Sequence, residues 1–351
     1  MSIDSTLTID ILPSDSDNLA VDITDTPLAL RINKTELVSM NDSDYIISYR
    51  NEMLSNRKWA PMEDWERSWK FNKGSIWTPD AVTNIESWIQ PEYFHPELVS
   101  TTAVVWANNR IGFDPDATTV GDGGFIQDTS TKMPTLLRNA DHRNFNGLKF
   151  DGINDDMRGK DASMWNVGTS DFMCYVAFKQ TDSGESQPVT SKNNGDTFVL
   201  ECDWTGAGNA KYTMDGDELT VRLNPDQSGF QIIGFGRSDV AVDPNLFLDR
   251  QWLRSFSYNY EYYGSAANTT NLNTTRQPWL GDAAGYTDEF DGVIYEIIFV
   301  NESIGSGVTG VTKDNKEKIE GYLAWKYNVQ GVLYSGHTYE NEPPTKATRV
   351  S

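Results

Sequence analysis

The chain has 351 residues, enough to bury a core without disulfide or metal staples. Its 51 acidic and 29 basic residues leave a formal charge of -22, which argues against nucleic acid as a partner, because phosphate neutralisation needs clustered Lys and Arg. A hydrophobic share of 38% with 12% aromatic residues excludes a disordered chain.

In chain order, the opening MSIDSTLTIDILPSD has no basic region and no long apolar run, so no secretory signal is expected. No stretch approaches the length of a membrane span. A protein released by cell lysis would show this combination. The alternation in LTIDI and AVDIT, with Asp on the opposite face, suits short edge strands or an extended arm. NEMLSNRKWAPMEDWERSWKF follows, with Trp59, Trp65 and Trp69. Pro61 ahead of Glu63 and Asp64 suits a short helix start. So many tryptophans require a surface to bury against, either the main domain or a neighbouring subunit. Residues 1–74 therefore read as a separate anchoring arm, part extended and part helical.

From Ser75 the pattern becomes β. Apolar or alternating runs recur at Phe172 to Phe178, Thr197 to Cys202, Glu218 to Leu223, Phe230 to Phe235, Trp252 to Tyr263 and Gly292 to Val300. Loops rich in Gly, Asn, Asp, Ser and Thr separate them. Many strands with almost no helix indicate an all-β sandwich or jelly roll. In the run from Trp252, one face carries Trp252, Phe256, Tyr258, Tyr260 and Tyr262, broken by Arg254. The other carries Leu253, Ser255, Ser257, Asn259 and Glu261. That reads as one long strand covering a core; an aromatic platform for sugar rings is the alternative. Cys174 and Cys202 sit in apolar runs and read as two buried thiols, a disulfide between them being the other option.

The last element is a helix through KDNKEKIEGYLAWKYNV, capped by Thr312, with Ile319, Tyr322, Leu323 and Tyr327 on one stripe. Gly321 costs about 1 kcal/mol against Ala in a helix interior. It is tolerated where the backbone must approach a sheet or loop closely. The helix is then a lid on the sandwich.

Here the chain resembles a known family. GYLAWKYNV followed by YSGHTYENEPP resembles the end of concanavalin A-like (laminin-G-like) jelly-roll domains, common in large phage and bacterial surface proteins. The likeness includes FDGVIYEIIFV with Glu296, then Glu320 to Ala324 with Gly321 and Tyr322, then His337 and Tyr339, with Thr338 in place of the family's Pro. NGLKFDGINDDM looks like the family's early strand and Phe-Asp-Gly turn, with Asp151 and Gly152. PTLLRNA and SIWTPDAVTNIESWIQPE resemble segments upstream of it. The resemblance implies a two-sheet antiparallel jelly-roll sandwich over residues 75–345, a C-terminal helix packed on it, and a short tail over 346–351. It also implies a structural role for Asp151.

The family's sugar-cleaving members carry Glu-x-Asp-x-x-Glu on one strand. Here the nearest candidates are Glu289, Asp291 and Glu296, with Ile294 where the third acid should stand. On an extended strand Glu289 and Glu296 would lie roughly 23 Å apart, and Asp291 and Glu296 roughly 16 Å. A glycosidase needs about 5 to 9.5 Å, so hydrolysis by that mechanism is not expected. His95, His142 and His337 show no zinc spacing. Asp114, Asp116 and Asp122, or Asp151, Asp155 and Asp156, could hold calcium, although Asp and Gly in loops are also ordinary turn chemistry. No other cofactor is expected. Asn268 and Asn273 begin Asn-x-Ser/Thr triplets and read as polar loop residues.

The expected protein is a non-enzymatic virion component of a tailed phage, on capsid or tail. Residues 1–74 would join it to other virion proteins in an oligomer or larger assembly, and its partner outside the particle would be a host-surface glycan. A carbohydrate-binding adhesin of a tail fibre or cell surface is the alternative. A polysaccharide hydrolase with a non-standard acid pair is a further one.

Overall fold

The computed structural model describes residues 77–91, 99–100, 103–104, 106–107, 123–137, 145–181, 186–192, 197–203, 208–223, 230–243, 246–256, 260–264, 268–269, 271–283, 286, 289–301 and 311–345. By backbone contacts the chain divides into units Met1–Trp59 and Ala60–Ser351, and the described residues belong to the second. The expected arm over 1–74, with Trp59, Trp65 and Trp69, lies outside them, as do Asp114, Asp116, Asp122, His95, His142 and the tail 346–351.

The strands are β1 (Ile85–Ile89), β2 (Val99–Ser100), β3 (Ala103–Val104), β4 (Trp106–Ala107), β5 (Phe125–Ile126) and β6 (Thr135–Leu137). Next come β7 (Gly147–Asp151), β8 (Met157–Gly159), β9 (Phe172–Gln180), β10 (Gln187–Lys192), β11 (Phe198–Asp203) and β12 (Asn209–Met214). The last are β13 (Asp217–Arg222), β14 (Phe230–Asp243), β15 (Leu246–Ser255), β16 (Tyr260–Tyr263), β17 (Pro278–Leu280) and β18 (Asp291–Val300). One helix, α1 (Val311–Lys326), follows.

These strands form two antiparallel sheets packed as a sandwich, as expected. The first runs β16-β15-β14-β9-β18-β7-β6-β3-β2, with β1 also paired to β18. The second runs β13-β12-β11-β10-β17-β8-β5-β4. Strict alternation explains the layers. In β9, Phe172, Cys174, Val176 and Phe178 enter the core between the sheets. Met173, Tyr175 and Ala177 enter a second core beneath the helix. Cys174 and Cys202 are both buried and unbonded to each other.

The helix lies over the outer face of the first sheet. Ile319, Tyr322, Leu323 and Tyr327 are all buried there, the stripe that the 3.6-residue period predicts. It starts at Val311, one residue ahead of the expected cap at Thr312. At Gly321 an added Cβ would stand 2.6 Å from Tyr339 Cβ, so the close approach is to the segment after the helix. Trp325 Nε1 donates to Tyr339 O at 2.8 Å and holds that segment down.

The run from Trp252 corrects the expectation of one long strand. It is a hairpin of β15 and β16, with Trp252 opposite Tyr263 and Ser255 opposite Tyr260. Neither face of β15 is polar cover: Trp252, Leu253, Arg254 and Ser255 are all buried. Trp252 packs under the helix, and Leu253 packs between the sheets.

Two buried charged clusters lock the helix to the sheet. A register shift between Ile294 and Glu296 in β18 puts Tyr295 and Glu296 in succession on the helix side. Glu296 Oε1 accepts from Trp88 Nε1 at 2.6 Å and Tyr322 OH at 3.1 Å. Its Oε2 accepts from Lys326 Nζ at 2.7 Å and Tyr327 OH at 3.0 Å. Nearby, Glu320 accepts from Tyr175 OH at 2.9 Å, lies 3.3 Å from Arg254 Nε and lies 3.4 Å from His337 Nε2. No helix of the described residues is long and apolar enough to cross a membrane.

Candidate functional site

The helix and the segment after it cover the first sheet's outer face, and the second sheet has an outer face of its own. Alternation assigns its residues. Met157 and Leu280 point into the core, so their neighbours Arg158 and Trp279 point outward. The two are register partners across β8 and β17. The Arg158 guanidinium carbon lies 4.3 Å from the Trp279 ring centroid. Its side chain is 45% exposed.

Beneath Arg158 lies Asp156, which is fully buried. Asp156 Oδ1 accepts from Gln127 Nε2 at 2.7 Å and lies 3.5 Å from Arg158 Nε. Its Oδ2 accepts from Lys132 Nζ at 3.2 Å. The carboxylate therefore fixes both cations and the loop carrying Lys132.

Further along the face, Glu201 of β11 lies opposite Lys211 of β12. Lys211 Nζ is 2.6 Å from Glu201 Oε2, which also accepts from Ser186 Oγ at 3.1 Å. Burial alone would lower the Lys211 pKa, but the bond to Glu201 and the charges of Glu201 and Glu218 raise it above the usual lysine value. Among the described residues, Glu201 Oε1 and Thr213 Oγ1 are buried without a hydrogen-bond partner.

The turn after β7 gathers several of the expected acids. Asp151 Oδ1 accepts from the backbone N–H of Ile153 at 2.9 Å and of Asn154 at 3.2 Å, a side chain-backed turn. Gly152 adopts φ +71°, and an added Cβ there would lie 2.7 Å from Asp291 Cβ. Asp151 and Asp291 are register partners, so the Phe-Asp-Gly turn seats against the start of β18. Asp155 Oδ2 accepts from Asp151 N at 3.1 Å.

Burial and the neighbouring Asp151 charge push the Asp155 carboxyl up to about 7. Burial and the Asp282 charge push Glu289 up to about 7 as well. Asp282 is raised by burial and by Asp156. This corner therefore holds carboxyl groups that keep protons near neutral pH. Asp151 and Asp155 thus serve the turn through bonds to backbone N–H groups, and among the described residues no three His, Cys, Asp or Glu side chains are grouped to hold a metal ion.

The acids considered for catalysis do not converge. Glu289 and Asp291 belong to this corner, while Glu296 is enclosed under the helix by Trp88, Tyr322, Lys326 and Tyr327. His337 is buried beside Glu320. Asn268 is buried, and Asn273 Oδ1 accepts from Gly168 N at 2.7 Å.

No known protein family matches this chain, and no curated protein matches it in sequence. Solved structures that resemble it include an arabinofuranosidase complexed with arabinofuranosyl-α-1,2-xylobiose, at 9% identity and TM-score 0.38, covering 61% of this chain and 49% of that one. A second is the CBM40 domain of the Ruminococcus gnavus IT-sialidase bound to α2,3-sialyllactose, at 13% identity and TM-score 0.30, covering 46% and 91%. A third is domain 4 of AbnA, a GH43 extracellular arabinanase from Geobacillus stearothermophilus, in complex with arabinotriose, at 10% identity and TM-score 0.32, covering 62% and 92%. This chain thus spans about half the length of the arabinofuranosidase. At these TM-scores the likeness carries no function from those proteins to this one.

Sequence reasoning did not single out Arg158, Trp279, Glu201 or Lys211. A signal existed in MRG and PWL, where one large polar or aromatic residue stands between residues that pack inward. The register that joins those two short segments was not visible.

Proposed function

We propose that this chain is a non-enzymatic display module whose sandwich meets a glycan with the outer face of its second sheet. One observation carries the reading: the helix locks over one sheet face, while the outer face of the second sheet presents Arg158 over the Trp279 ring, 4.3 Å from its centroid. An aromatic side chain held rigid beside fixed polar groups suits the apolar and hydroxyl faces of a sugar ring. The carrier we propose is a tailed-phage virion, joined through residues 1–74. Its support is the sequence resemblance to phage surface modules.

A glycan array probed with the full chain and with Trp279→Ala tests the binding. Retention on a defined set of sugars, lost in the variant, is the expected result; no retention at millimolar sugar overturns it. Removing residues 1–74 and assaying particle association tests the anchoring. A sandwich that folds and still attaches would overturn that part.

A second reading is hydrolysis at the acidic corner, favoured by Glu289, a carboxyl raised to about 7 beside Asp282. Reducing-sugar release that disappears in Glu289→Gln would establish it; its absence from the native chain would remove it.

A further inference from the structure

We infer that Arg158 is an anion-reading residue on the outer face of the second sheet, and that the sugar taken there carries a carboxylate, as in a uronic or a sialic acid. The inference rests on the glycan-face reading above and specifies its ligand.

Arg158 is held from two sides. Asp156 stands below it, 3.5 Å from Nε, and the guanidinium carbon lies over the Trp279 ring, 4.3 Å from its centroid. The ion pair is made by Nε. The terminal nitrogens have no hydrogen-bond or ion-pair partner among the described residues. The side chain is nevertheless 45% exposed, so those nitrogens are the part left for a ligand. A guanidinium fixed in this way has already lost most of its rotamer freedom before any ligand arrives. Its parallel N–H groups match the two oxygens of a carboxylate, a geometry that neither a hydroxyl nor an ammonium reproduces.

Local charge is close to balanced: Lys132 and Arg158 face the carboxyl groups of Asp156 and Asp282. Burial raises the Asp282 pKa. The chain as a whole, at -22, repels an anion at long range. That repulsion is screened beyond about 8 Å at physiological ionic strength, so the contact pair decides. Trp279 beside the guanidinium supplies an aromatic edge for the ring that bears the carboxylate.

The experiment is a calorimetric titration of the full chain with methyl glucuronide, N-acetylneuraminic acid and methyl glucoside. At least one acidic sugar should bind tenfold or more tightly than the neutral one, and the arm that binds identifies a uronate or a sialate. Arg158→Lys keeps the charge but loses the fork, and should weaken the acidic sugar at least tenfold, and by a larger factor than the neutral sugar. Arg158→Gln should abolish the preference. Melting curves within a few degrees of the native chain show that the variants are folded. Equal affinity for acidic and neutral sugars, or unchanged binding in Arg158→Lys and Arg158→Gln, overturns this inference and leaves the glycan face standing. No binding of any sugar removes both.

Discussion

Lys326 Nζ stands 2.7 Å from Glu296 Oε2, and neither side chain is exposed. The helix thus carries a cation to a carboxylate presented by the central strand of the first sheet. Each Glu296 oxygen accepts two donors, so the burial of this charge is compensated in full. Removing one side leaves an uncompensated buried charge, which costs about 3–5 kcal/mol. Glu296→Gln and Lys326→Met should each lower stability by about that amount in urea unfolding. A loss below about 1 kcal/mol in both, the range of an exposed pair, would show that the pair does not hold the helix.

The second buried carboxylate makes a prediction about acid. Burial would raise the Glu320 pKa, but Arg254, Lys316 and His337 outweigh it and pull the carboxyl down to about 2. A depressed acid stabilises the fold above its ordinary pKa, and that contribution is lost as pH falls through the folded value. Glu320→Gln should therefore melt lower than the native chain at pH 7. Its Tm should also fall less steeply between about pH 5 and pH 2. Parallel acid limbs for the two proteins would contradict the assignment.

Asp155 and Glu289 act in the opposite sense. Both are raised to about 7, so the folded chain holds protons that the unfolded chain has released. Stability then declines as pH rises from the ordinary carboxyl range to about 7, and stays reduced above it. Asp155→Asn and Glu289→Gln should melt above the native protein at pH 8. The gain should shrink on acidification and vanish by about pH 4. A gain independent of pH would mean that packing, and not ionisation, is responsible.

Gly321→Ala tests the seating of the C-terminal segment. Helix propensity alone favours alanine by about 1 kcal/mol. The new methyl would lie 2.6 Å from Tyr339 Cβ, however, and overpacking typically costs about 1–3 kcal/mol. We expect net destabilisation in thermal melts, reduced in a Tyr339→Gly background. A more stable Gly321→Ala would show that the segment moves aside freely.

The elements most legible in the sequence were those whose period is unbroken. Phe172–Gln180 and Asp291–Val300 read as strands because apolar residues, many of them β-branched or aromatic, dominate both runs. The helix was legible from Ile319, Tyr322, Leu323 and Tyr327. The Trp252–Tyr263 run misled because aromatic residues continue at every second position from Phe256 to Tyr262, so nothing in the period marks the turn between Ser255 and Tyr260. Glu296 was recognisable as a motif residue, yet its four donors come from β1, the helix and the residue just after it, which only folding brings to it.

The sequence by itself determined an acidic all-β sandwich with one helix packed on it, because alternation and helical stripes are local consequences of backbone geometry and apolar burial. Only the tertiary structure decided where the polar groups meet. Arg158 reaches Trp279, and Arg254 reaches Glu320, through strand register and helix docking that join distant segments. Burial follows from the hydrophobic pattern along the chain, whereas a charge finds its partner only after the sheets and helix have set both side chains in place.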